Sequence, residues 1–146
     1  MPNVYLLHGD LHDTEMNDLY NHPKVKAHIT FTHGEGFGRP LLEACFSEKP
    51  VIAPDWSGQK DFLNRNNAIL LPGTLTDVHK SAVPKEMLNE NAKWFTVNYQ
   101  YASQIMMKVF KEYKNYTLPA KRLAIGNRSF SLKNMNKKFE EILNKY

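Results

Sequence analysis

Four short apolar runs are separated by stretches patterned as helices: VYLL at 4–7, HITFT at 28–32, VIA at 51–53 and AILL at 68–71. This alternation constrains the fold more than any other feature of the chain. Each run is short, rich in aliphatic, aromatic or β-branched residues, and followed within two residues by glycine or proline, so each reads as a strand. The runs are largely continuous rather than strictly alternating, as expected where both faces of a sheet are covered. Strands alternating with helices imply an α/β fold around a short, mainly parallel four-stranded sheet.

The intervening segments supply the helices. Asp13 is placed to cap a helix carrying Met16, Leu19 and Tyr20, with Glu15 near its positive end and Pro23 after it. Pro40 suits the first turn of a helix whose apolar face is Leu41, Leu42, Ala44, Cys45 and Phe46. Ser57 can cap a short helix reaching Leu63. Further on, residues 99–114 place Tyr101, Ile105, Val109 and Tyr113 at i+4 steps. Residues 131–146 put Leu132, Met135, Phe139, Ile142, Leu143 and Tyr146 on one face, with Ser131 as the cap. These two amphipathic helices are expected to pack back on the sheet. Residues 74–91 are polar and carry no clear pattern.

At 146 residues the chain is long enough for one domain with a real core. Its 42% apolar and 12% aromatic content excludes a disordered chain. No run approaches the ~18 apolar residues a membrane helix needs, and the N-terminus lacks the features of a signal peptide. A single cysteine, Cys45, fits a reducing compartment, so a cytoplasmic location is expected. The formal charge of +4 mildly favours anionic partners such as phosphates. Basic residues run along the whole chain, which gives little support to nucleic-acid binding.

Residues 33–46 read HGEGFGRPLLEACF, with Gly34, Gly36 and Gly38 at every second position between a strand and a helix. In an open α/β sheet, ligands sit outside the carboxyl ends of the strands. Glycines let a ligand approach the main chain there, and the helix beginning near Pro40 points unpaired N–H groups into the same space. Such a site suits a phosphate or diphosphate. Glu35 and Glu43 would repel a phosphate but are good acceptors for the hydroxyls of a sugar or ribose. Phosphate on backbone amides and hydroxyls on two carboxylates together describe a nucleotide sugar.

The E-x7-E pattern in EGFGRPLLEA resembles the retaining glycosyltransferases of the GT-B fold, in their C-terminal, donor-binding half. VYLLHGDLHDTEMNDLY is similar to the strand, glycine and helix before that motif. KPVIAPDWSGQKDFL and AILLPG are similar to the strands and loop after it. The resemblance covers residues 3–73. It continues more weakly from KWFTVNYQYASQ onward, where it is closest to phage and bacterial members. It implies an incomplete Rossmann-like domain in which Glu43 holds the ribose hydroxyls. Glu35 would sit beside the donor sugar as the catalytic carboxylate. The amides of Gly36, Phe37 and Gly38 would touch the sugar and diphosphate, with Ser57 and Gly58 lining the same pocket. The family works without a bound metal, and no metal-ligand spacing is visible. Retention would follow from same-face attack, with the leaving diphosphate as base.

The family also has an N-terminal acceptor domain and two further strand–helix units bearing an Arg/Lys pair for the diphosphate. Neither lies in this sequence. Arg39 and Lys60 are the candidate substitutes for that pair. Without its usual neighbours, an edge of β-branched residues is expected to associate, giving a homo-oligomer or a piece of a larger protein. The alternative function is a non-catalytic scaffold or nucleotide-binding relic. His33 reads as a strand-end residue, Cys45 as core, Trp94, Phe95, Met106 and Met107 as packing, and the lysines of 133–145 as a solvated face. Trp56 either borders the pocket or fills the core.

Overall fold

The protein, known from a computed structural model, is described at residues 2–82 and 91–145. Tyr146 and residues 83–90 of the polar stretch lie outside the described residues. The fold is mixed α/β, as expected. Helix α1 spans Asp13–Asn21, strand β1 His28–Ile29, helix α2 Arg39–Cys45, and strands β2 and β3 Val51–Pro54 and Ile69–Leu71. The three strands form a parallel sheet in the order β1-β2-β3, with His28 opposite Val51 and Ile52 opposite Ile69. Gly73–Asp77 (β4) and Lys93–Val97 (β5) form a separate antiparallel pair. Helices α3 (Tyr99–Lys111), α4 (Lys114–Gly126) and α5 (Leu132–Leu143) complete the chain.

Strand β2 organises the core because its alternation serves both faces of the sheet. Val51 and Ala53 join Leu41, Leu42, Ala44 and Cys45 of α2 and Leu123 of α4 on one side. Ile52 points the other way, to Leu71, Phe95 and Val97, and to Ala102 and Val109 of α3. Burying a leucine-sized side chain contributes about 1.5–3 kcal/mol, so α2, with four buried apolar residues, is fixed chiefly by this contact. Lys49 fastens α1 beside it, donating to the carbonyls of Tyr20 (2.5 Å) and His22 (2.8 Å) at the helix's negative end.

Several expectations are corrected. Val4–Leu7 is not a strand, so the parallel sheet has three strands rather than four. Val4 is 91% and Leu6 89% exposed, and the segment pairs with nothing in the sheet. An extended segment gains ladder hydrogen bonds only from a neighbour. Helix α1 is capped at His12 rather than Asp13: the His12 amide donates to Glu15 Oε2 at 2.8 Å. Ser57 precedes a short 3-10 turn, Gly58–Asp61, but its hydroxyl does not cap it. Helix α3 packs on the sheet as expected. Helix α5 begins at Ser131, whose hydroxyl accepts from the Asn134 amide, yet it buries no residue.

Candidate functional site

Parallel strands release their following loops at one edge, and two of these loops grip each other here. The Ser57 hydroxyl donates to the Glu35 carbonyl at 2.7 Å and accepts from the Glu35 amide at 3.1 Å. The Gly58 amide donates to the same carbonyl at 3.0 Å. Ser57 holds φ +70°, a region a side chain adopts at a cost of about 1–3 kcal/mol, and these bonds compensate it. A Cβ on Gly58 would lie 2.1 Å from the Gly36 carbonyl oxygen, so only glycine allows the approach. Sequence reasoning placed Ser57 and Gly58 in the same pocket as the glycine loop, and the structure brings them into contact with it.

Gly38, at φ +88°, turns the chain into α2. Its carbonyl accepts from the amides of Leu41 (3.0 Å) and Leu42 (3.1 Å). These two donors were expected to face a ligand and instead close the first turn. The amides of Gly36, Phe37, Gly38 and Arg39 have no acceptor among the described residues. In front of Gly36 the space is open: a Cβ there would meet nothing within 4 Å. Three of these donors thus lie on the loop, and the fourth, Arg39, is the first residue of α2.

Glu43 lies one turn into α2 and accepts from Arg39 Nε at 2.8 Å, with both side chains partly in solvent. Together they line one side of a groove of about 690 Å³ between α1 and α2, opposite Asn17 and Tyr20. Burial raises the pKa of the Tyr20 phenol, and the Glu43 charge adds to the effect. Glu35 is half-buried in the loop and is not among the residues lining that groove. Of the two carboxylates, only Glu43 lines this groove.

The other residues singled out in the sequence make contacts of their own around this edge. The Phe37 ring packs against Phe62 (5.2 Å) and Phe130 (5.8 Å) on one side and stays partly exposed. Lys60 lies 3.0 Å from Asp55, which also holds Arg65. The hydrogen bond from Lys60, followed by that from Arg65, keeps the Asp55 carboxyl below its ordinary range. His33 is structural. Its Nδ1–H donates to the Phe95 carbonyl at 2.7 Å, and its ring stacks on Trp94 at 3.9 Å. Trp56 stacks on Phe95 at 5.5 Å and is 39% exposed, at the border of this edge. Burial pushes the Cys45 thiol up to about 12, which makes it core rather than nucleophile. Among the described residues, no three His, Cys, Asp or Glu side chains gather to hold a metal ion.

Sequence reasoning missed the contribution of α1 to the groove and the anchoring role of Asp55. The first had a partial signal in Tyr20, which follows Met16 and Leu19 on the helix. The second had none, because Arg65 reaches Asp55 from outside the local pattern. No protein-family model matches the chain, and no curated protein matches it.

Proposed function

We propose that the protein is a glycosyltransferase-like domain that binds a nucleotide-sugar donor along the edge formed by residues 33–39, the Ser57–Gly58 turn and the groove beside Glu43. The observation that carries this reading is a run of four amides without acceptors among the described residues, Gly36 to Arg39, whose last residue lines a groove together with the Glu43 carboxylate. The likeness of EGFGRPLLEA to retaining GT-B enzymes points the same way. The diphosphate lies on the amides of Gly36, Phe37, Gly38 and Arg39. Glu43 takes the ribose hydroxyls, and the nucleoside extends along α1 past Tyr20. The Arg39–Glu43 pair is solvent-exposed and worth only about 0.3–0.5 kcal/mol, so Arg39 can leave it for a phosphate.

Glu35 stands beside the donor sugar and stabilises positive charge developing there. In transfer, the bond from the anomeric carbon to the diphosphate oxygen breaks as an acceptor hydroxyl attacks the same face. The hydroxyl proton passes to the departing phosphate oxygen. The protein supplies position and electrostatics. The acceptor is brought by another domain or by a second copy meeting the open edge of β1, in a homo-oligomer. No helix of the described residues is long and apolar enough to cross a membrane, and the lone buried thiol of Cys45 suits the reducing cytoplasm.

A thermal-shift panel of UDP-, GDP- and ADP-sugars tests the reading. At a hundred times Kd, one donor should stabilise the protein by roughly 2.7 kcal/mol, a rise of about 5–10 °C for a chain of this size. Glu43→Ala should weaken that donor at least tenfold. A non-catalytic role is the second reading, and Lys60 favours it: its ion pair with Asp55 withholds a second cation from the leaving group. Donor binding without hydrolysis or transfer would select a nucleotide-binding relic. No shift with any donor would select a scaffold.

A further inference from the structure

Basic residues run the length of the chain, whereas acidic ones thin out toward its end. Residues 108–145 hold ten lysines and arginines against three acidic residues, whereas residues 1–107 hold nine against twelve. The cationic part is the helical end of the molecule, and it closes with α5. This helix has a continuous apolar stripe, Leu132, Met135, Phe139, Ile142 and Leu143, and the stripe faces solvent: Leu132 is 77% and Phe139 62% exposed. Lys133, Lys137 and Lys138 share the rest of its circumference with Asn134, Asn136, Glu140 and Glu141, which leaves the helix itself with a net charge of +1 inside the more strongly cationic tail. Lys137 pairs with Glu141 only loosely, at 3.9 Å in solvent. An exposed stripe of this kind marks an interaction surface.

We infer that α5 docks in the plane of an anionic lipid surface. At twelve residues it is about 18 Å long, too short to span a hydrocarbon core of about 30 Å. An amphipathic helix with lysines on its polar face instead lies along the headgroup boundary and buries its apolar stripe. Juxtamembrane lysines add attraction to anionic lipid. The same charge argues against a second copy as occupant, since it would bring two cationic ends together. The apolar stripe argues against nucleic acid, whose phosphates leave Leu132, Phe139 and Ile142 uncovered. This inference stands independently of donor binding.

Flotation of the full chain with phosphatidylcholine vesicles, with and without phosphatidylglycerol, tests it. Bound protein should rise about tenfold with the anionic lipid and fall again as salt is added. Phe139→Glu with Ile142→Glu should abolish binding. Lys137→Glu with Lys138→Glu should remove the preference for anionic vesicles. These side chains are exposed, so the circular dichroism should be unchanged. Should the first double variant lose helicity, Leu132→Asp provides the same readout from the most exposed position of the stripe. Equal binding to neutral vesicles, or binding that survives loss of the apolar stripe, overturns the proposal. So does self-association through α5, or capture of duplex RNA, in place of vesicle binding.

Discussion

Gly58 and Gly36 sit on either side of one loop contact and are glycines for different reasons. The first is required by packing: a methyl group there would drive into the Gly36 carbonyl. The second faces open space, so its smallness serves whatever approaches from outside. Gly58→Ala should therefore cost more than about 2 kcal/mol, read from the urea midpoint. Gly36→Ala should cost under about 1 kcal/mol, whereas Gly36→Val should leave the midpoint nearly unchanged and lower donor affinity. Equal destabilisation by the two alanine variants would remove the distinction. At this scale the site was partly legible. The spacing of Glu35 and Glu43 and the glycines between them are local facts. The reciprocal bonds of Ser57 with Glu35 are not, because they join residues on different loops.

At the scale of elements, a segment was legible where its apolar pattern matches the burial it receives. Helix α2 and strand β2 were readable since Leu41, Leu42, Ala44 and Cys45 and every residue of β2 enter the core, although Phe46, read as part of the same face, stays exposed. The β4–β5 pair was not: its strands are parted by the polar stretch from 78 to 92, and Trp94 and Phe95 read only as packing. Helix α4 was not delimited in the sequence because Pro119 lies inside it, where proline normally ends a helix. Periodicity gave α5 correctly as amphipathic and wrongly as packed, since a stripe does not say what covers it. The end of β2 is held by Asp55, whose carboxyl anchors Lys60 and Arg65. Its pKa is depressed in the folded state, so the unfolded chain takes up the proton first on acidification. The stabilisation is present above the ordinary carboxylate range, near pH 3.9, and is lost as pH falls below it. Asp55→Asn should lower stability at neutral pH, and its gap from the parent should close in acid. A gap that persists unchanged to pH 2 would exclude the ion pairs as its cause.

The whole molecule exposes 11304 Å², against roughly 7,700 Å² expected for a compact monomer of its mass. The excess includes Val4–Leu7, the open edge of β1 and the stripe of α5. A parallel sheet is ordinarily covered, and an uncovered edge invites a partner strand. Sedimentation should show a concentration-dependent assembly, and Leu6→Asp should shift it toward monomer; a well-folded monomer at all concentrations would contradict the association. Donor binding, however, is proposed for the glycine loop. Titration with a UDP-, GDP- or ADP-sugar, followed by amide chemical shifts, tests it most directly. The amides of Gly36, Phe37, Gly38, Arg39 and Glu43 should move together with that of Ser57 at a single Kd. Saturating donor that leaves those amides unmoved, or that perturbs only residues elsewhere, would contradict it.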